Sequence, residues 1–242
     1  MEVLSLAKDA ARAAVEVLRQ HFLVDAGIER SESKDIKTRA DLAAQEVIFS
    51  KLQSSCIPIL SEEDENRHSL ISGPTWIVDP LDGTLNFTRG FPMACVSIAL
   101  WDGESPILGV IADIYHGNIF SGFVGEAAFL DGKKISVSDL TDVSQAVICT
   151  GFPSGRNYGQ ESLLEFVEKV RQYKKVRMLG SAALMLAQVA AGRADVYEEE
   201  DIYLWDVAAG LALVKAAGGE FTMSPGSGQF KYNVRAWNGK LR

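Results

Sequence analysis

Cysteine is scarce in this chain: three in 242 residues, Cys56, Cys95 and Cys149, far apart and with no CxxC pair. An odd and scattered set implies no disulfide framework and is expected as buried free thiols in a reducing compartment. Basic charge is also scarce, with 24 Lys and Arg against 32 Asp and Glu and a net charge of −8. Nucleic acid and anionic membrane surfaces call for a basic footprint, so neither is an expected partner. Long apolar runs are missing too. The opening stretch MEVLSLAKDAARAAVEVLRQHF is interrupted by charge throughout and reads as neither signal peptide nor membrane span. What is present is a 47% apolar composition, enough for a sizeable core and one large domain, 1–242, in a cytoplasmic protein. Its acidity does not exclude an anionic substrate, because bound cations invert the local field.

The pattern along the chain is mixed. Val3, Ala7, Ala10, Ala14, Val17 and Leu18 fall at helical spacing. The polar stretch 27–41 offers little to bury and reads as a mobile loop, followed by a second helix near 40–53. IPIL (57–60) and TWIVD (75–79) suit buried strands, and 93–132 alternates β-prone runs with Asp-Gly, Ser-Pro and His-Gly-Asn turns, as antiparallel hairpins do. Another strand is expected near 146–150, helices at 160–173 and 181–192, a strand at ADVYE, and a helix ending at Gly218-Gly219. Two or three strands close the chain. These blocks predict a layered α/β arrangement with no linker between an N-terminal half, about 1–140, and a C-terminal half, about 141–242.

The informative stretch is WIVDPLDGTLNF, 76–87. Pro80 disfavours helical backbone at Asp79, which is therefore expected at the extended end of a strand, with a turn bringing Asp82 back beside it. Two carboxylates that close repel unless a cation lies between them. Oxygen-only donors with no histidine nearby point to Mg²⁺ or Mn²⁺. Gly83 permits a tight turn, and the amides of Gly83 and Thr84 are suited to an anionic group such as phosphate. Asp-Pro and Asp-Gly are also ordinary turn formers, so the string alone leaves both readings open. Two more acidic stretches accompany it. LSEEDE (60–65) puts Glu62 or Glu63 at a strand end, and LWDVAAG (204–210) puts Asp206 in the first turn of an apolar helix, where the helix dipole also favours it.

Together Asp41, Glu62-Glu63, DPLDGT (79–84) and WDVAAG (205–210), in that order and with GSAALMLAQVAAGRADVYE (180–198) before the last, resemble the inositol monophosphatase family of metal-dependent, lithium-sensitive phosphatases. The resemblance implies a five-layer αβαβα sandwich, usually dimeric, and hydrolysis of a small phosphate ester. It further implies one metal held by Glu62, Asp79 and the Leu81 carbonyl, a second by Asp79, Asp82 and Asp206, and a weaker third near Glu62. Phosphate would meet the Gly83 and Thr84 amides. Catalysis would use a water positioned by Glu62 and Thr84, with Asp41 behind Thr84, and two-metal charge neutralisation. Substrate hydroxyls would meet Asp82, Ser181, Ala182 and Glu199, and Lys34 would lie in a metal-ordered loop.

Two features depart from the family pattern: Asp201 where glycine is common, within the acidic YEEEDIYLWD (197–206), and an ending, NVRAWNGKLR, where many relatives continue with a short helix. The leading expectation is an Mg²⁺-dependent inositol monophosphatase with two to three metals. Fructose-1,6-bisphosphatase, histidinol-phosphatase and 3′-phosphoadenosine phosphatase are alternatives on the same scaffold, with Arg156, Arg177 and Lys37 available to a second phosphate. A non-catalytic regulatory or interaction protein retaining the fold is the alternative of another class.

Overall fold

A computed structural model describes residues 2–24, 28–32, 35–63, 73–103, 105–152 and 158–241, with backbone alone between 22 and 38. The first half of the chain runs α1 (Glu2–Val24), β1 (Ile28–Glu32), β2 (Asp35–Thr38), α2 (Arg39–Leu52), β3 (Ile59–Ser61), β4 (Pro74–Asp82) and α3 (Thr84–Thr88). Five strands follow: β5 (Cys95–Asp102), β6 (Ser105–Asp113), β7 (Ile119–Phe123), β8 (Ala127–Leu130) and β9 (Lys133–Ile135). The remainder is β10 (Val147–Cys149), α4 (Gln160–Val170), β11 (Lys175–Arg177), α5 (Ala182–Ala190), β12 (Val196–Tyr203), α6 (Leu204–Ala216), β13 (Glu220–Pro225) and β14 (Lys231–Trp237).

Two large sheets organise the fold. One is seven-stranded in the order β3-β4-β5-β6-β7-β8-β9, antiparallel except for β3 against β4. The other is five-stranded, β11-β10-β12-β14-β13, with parallel pairs on one side and antiparallel pairs on the other. Helices α1 and α2 pack together and cover one face of the larger sheet, α5 and α6 fill the space between the sheets, and α4 reaches the outer face of the smaller sheet. The result is the expected αβαβα layering, with six α-helices among the described residues.

Strand β5 shows why its sequence is almost uniformly apolar. Cys95, Ala99 and Trp101 join the core against α5 and α6, whereas Val96, Ile98 and Leu100 join the core against α1 and α2. Each face buries alternate residues, so the period-two polar signal disappears. The alanines of α1 (Ala7, Ala10, Ala11, Ala14) are wholly buried there, which lets that helix lie close to the strands. No helix among the described residues is long and apolar enough to cross a membrane.

Several expectations need correction. The stretch read as a mobile loop instead holds β1 and β2, paired antiparallel from Ile28↔Thr38 to Glu32↔Asp35. Its backbone pairing leaves no apolar alternation by which the sequence would announce it. Lys34 and Arg156 lie outside the described residues, as does the side chain of Lys37. Cys95 and Cys149 are buried free thiols as expected, but Cys56 is exposed, in a left-handed turn after α2. At the other end, Asn238 is buried and donates to Ser138 Oγ (2.9 Å) and the Leu140 carbonyl (2.8 Å), anchoring the last residues to the body.

Candidate active site

Strand β4 does not end at Asp79, as the sequence suggested; it continues through Pro80 to Asp82. Asp79 faces Ser97 of β5 and Asp82 faces Cys95, so two residues of β4, Pro80 and Leu81, stand opposite Val96 alone. This is a β-bulge, one of the few places inside a sheet where proline is tolerated. Its consequence is chemical. Residues three apart on a regular strand point to opposite faces, but the extra residue turns Asp79 and Asp82 to the same face. Leu81, meanwhile, goes to the core under α1 and α2.

Glu62 arrives from the neighbouring strand. It follows β3 directly, its amide donating to the Val78 carbonyl at 3.1 Å. Asp206 arrives from the first turn of α6, where the Tyr203 amide donates to its carboxylate. Glu62, Asp79 and Asp206 each offer an oxygen, all within 4.8 Å of one another. Burial is the largest influence raising the Asp79 pKa well above its usual value, followed by the charges of Glu62, Asp82 and Asp206. Burial likewise raises Asp206 well above normal, with Glu62, Asp82 and Glu199 adding to it. Three mutually repelling oxygen donors in a desolvated cleft suit a hard divalent cation, which would remove the repulsion that pushes these values up.

Asp82 stands beside that triplet, and its Oδ2 is already engaged: Ser181 Oγ donates at 2.5 Å and the Ala183 amide at 2.8 Å, with Cys95 Sγ at 3.7 Å. Burial still brings its pKa to about 6, against the lowering effect of these donors. Ser181 also caps α5, accepting from the Leu184 amide at 3.3 Å, so one hydroxyl joins the helix start to the carboxylate.

Gly83 has φ +89°, and a Cβ there would come within 2.7 Å of the Met93 carbonyl, so no other residue fits this turn without backbone movement. Thr84 follows at the start of α3. Its hydroxyl donates to the Leu81 carbonyl at 3.0 Å, with Asp41 Oδ1 at 3.3 Å as the competing acceptor. Asp41 itself is buried in the first turn of α2.

Glu62, Asp79, Leu81, Asp82, Gly83, Thr84, Ser181, Ala182, Glu199 and Asp206 all line one cleft of about 220 Å³; Asp41 alone among the expected residues reaches it only through Thr84. The same cleft brings in Gly151, Phe152, Met185 and Ile202, which sequence reasoning missed. On β12 a second bulge sets Glu200 and Asp201 against Asn233, so Ile202 returns to the face of Glu199. Strand alternation sends Glu198 and Glu200 the other way, to Lys169 at 2.9 and 2.8 Å. Asp201 takes a left-handed φ of +60°, which explains why glycine is common there, and its carboxylate is held by the Ser227 amide (2.7 Å), the Ser227 hydroxyl (2.8 Å) and Lys231 (3.1 Å). The acidity of 198–201 is therefore mostly directed away from the cleft; Glu199 alone of these four lines it.

Known proteins resemble this chain in sequence and fold. The sequence profile described as "Inositol monophosphatase family" matches residues 1–239. "Inositol monophosphatase 3" of Solanum lycopersicum is 37% identical over 97% of this chain and 90% of its own length. "Nus factor SuhB" of Xylella fastidiosa is 38% identical over 87% of this chain and 78% of its own. Among solved structures, the extragenic suppressor protein suhB of Bartonella henselae superposes with a TM-score of 0.87 at 32% identity, covering 98% of this chain and 94% of that one.

Proposed function

This chain belongs to the inositol monophosphatase family and is a phosphatase, and we propose that its substrate is a small polyol phosphate monoester, inositol monophosphate before others. The observation that carries the reading is the meeting in one cleft of Glu62, Asp79 and Asp206 with Glu199. An acidic group of this kind has no use for a phosphate by itself; with cations in place it draws the phosphate in, while Glu199 accepts from hydroxyls on the alcohol side.

We assign one Mg²⁺ to Glu62, Asp79 and the Leu81 carbonyl and a second to Asp79, Asp82 and Asp206, with Mn²⁺ as a substitute. When bound, these ions supply charge neutralisation at phosphorus and acidify water. The chain's own residues do the rest. Amides of Gly83 and Thr84 donate to phosphate oxygens. The Thr84 hydroxyl, steered by the Leu81 carbonyl and Asp41, accepts a hydrogen bond from the attacking water and holds it in line, and the Glu62 carboxylate takes its proton. Asp82 is kept in a fixed orientation by Ser181 and the Ala183 amide, both donating to Oδ2, so Oδ1 is the oxygen we assign to the second Mg²⁺. Ser181 and Ala182 form the floor under the alcohol.

We also propose a homodimer in the cytoplasm. Leu85, Phe91 and Met178 are apolar side chains about half exposed, on segments that Asn86 ties together through the Met93 and Leu179 carbonyls. Sedimentation of the protein as a monomer would remove this part of the reading.

The test is phosphate release with and without Mg²⁺ from inositol 1-phosphate, fructose 1,6-bisphosphate, histidinol phosphate and 3′-phosphoadenosine 5′-phosphate. Metal-dependent turnover strongest on inositol 1-phosphate is expected, with inhibition by lithium at roughly tens of millimolar. Silence on inositol 1-phosphate would overturn the substrate assignment. The relative named Nus factor SuhB favours a second reading, a binding role that keeps the fold; a wild-type protein that binds Mg²⁺ yet releases phosphate from none of the four would favour that role over hydrolysis.

A further inference from the structure

Glu199 is 6% exposed, on the cleft wall among carboxylates, and an unassisted side chain there would rotate away from them. Two neighbours prevent this. Tyr197, two residues earlier on β12 and therefore on the same strand face, is fully buried, and its hydroxyl donates to Glu199 Oε2. Gly151, just after β10 and also lining the cleft, carries no side chain where Glu199 Oε1 lies; a Cβ there would overlap that oxygen. One oxygen is thus tied by a hydroxyl from behind, and the other occupies space that only glycine leaves.

We propose that Tyr197 and Gly151 are positioning residues that set the preference for a hydroxyl-bearing alcohol, by holding Glu199 at the cleft wall with Oε1 beside Gly151 as the acceptor. The inference rests on the assignment of Glu199 to the alcohol side of the substrate. Tyr197 does not line the cleft, so it acts only through Glu199. A buried carboxylate accepting a hydrogen bond from a rigid phenol keeps its orientation, whereas the same carboxylate without that bond samples others and loses affinity for a specific pattern of hydroxyls.

The experiment compares inositol 1-phosphate with p-nitrophenyl phosphate, which has no alcohol hydroxyl, in the full-length protein with Mg²⁺. Tyr197→Phe is expected to raise the KM for inositol 1-phosphate about fivefold more than that for p-nitrophenyl phosphate, with kcat moving alike for the two. Gly151→Ala, which disturbs Glu199 from the other side, is expected to shift the same ratio in the same direction and serves if the tyrosine variant fails to fold. In a Glu199→Gln background neither change should move the ratio further. An equal loss on both substrates, or additive effects in the double variants, would overturn the inference. The underlying assignment fails separately: Glu199→Gln alone would then leave the ratio unchanged. If Glu199→Gln shifts the ratio and the other two do not, only the positioning role is lost.

Discussion

The molecule contains two bulged strands rich in acid, and they use the same backbone device for opposite ends. On β4 the extra residue at Pro80-Leu81 brings Asp79 and Asp82 onto one buried face, where no cationic side chain among the described residues is paired with them and their pKa values rise. On β12 the extra residue at Glu200-Asp201 separates the acids instead: Glu199 faces the cleft, while Asp201 is turned out to Lys231 and Ser227 and its pKa falls below normal, the donors from Ser227 and Lys231 outweighing burial. Charge that folding leaves repelling is charge reserved for an exogenous cation. Charge that folding pairs is structural. The distinction lies in what surrounds each carboxylate and not in their number, since β12 carries four acids and β4 only two.

Replacing the reserved charge should have the largest effect. Asp206→Asn is expected to lower kcat by about a thousandfold, because a metal ligand controls several kcal/mol of transition-state charge stabilisation. The metal-free variant should melt no lower than the metal-free wild type, since the change removes repulsion in the cleft. Residual activity within tenfold of wild type would show that Asp206 is not a ligand. The same comparison predicts a pH dependence. Asp82 has a folded pKa of about 6 against an ordinary 3.8, and Asp79 and Asp206 move in the same direction. Between those values the folded protein binds protons that the unfolded chain does not. The contribution to stability is therefore fully present below about pH 4 and is lost as pH rises through 6 and beyond. Metal-free protein should accordingly gain little in melting temperature from Mg²⁺ at pH 5 and on the order of 5 °C at pH 7.5. A metal effect independent of pH would mean the cation binds elsewhere.

A smaller effect is expected on β12. Asp201→Gly suits the left-handed backbone but removes the contacts to Ser227 and Lys231, so the melting temperature should fall by roughly 2–4 °C with kcat and KM unchanged. A large loss of activity in this variant would tie Asp201 to the cleft after all.

The legibility of this protein from its sequence divides along the same line. DPLDGT, Glu62 and WDVAAG pointed to the cleft because metal-type chemistry restricts residue identity at fixed positions: Glu62, Asp79, Leu81, Asp82, Gly83, Thr84 and Asp206 line it, while Pro80 and the rest of WDVAAG do not. The bulge that makes Asp79 and Asp82 cooperate was not legible: Pro80 suggested a strand end, and only cross-strand register reveals an extra residue. Gly151 and Tyr197 escaped for another reason. Their importance depends on Glu199, which a different segment delivers, although the i, i+2 spacing of Tyr197 and Glu199 on a strand was a usable signal. The hairpin of β1 and β2 was missed because IERSE and DIKT show no run of alternating apolar residues in the sequence.

The smallest expected effect tests the structural side of the comparison. Lys169 joins α4 to Glu198 and Glu200 on the outer face of β12, at 2.9 and 2.8 Å, and about a third of its side chain is exposed. Such pairs give up hydration to form and are screened by salt, so each contributes no more than about 1 kcal/mol. Lys169→Met should therefore lower the melting temperature by at most about 3 °C at low salt, less at high salt, and leave phosphate release unchanged. Methionine keeps an unbranched side chain of similar length, which separates the loss of charge from the loss of bulk. If this variant instead altered the preference between inositol 1-phosphate and p-nitrophenyl phosphate, the two faces of β12 would be coupled through the bulge. The clean separation between reserved and paired acids along that strand would then fail.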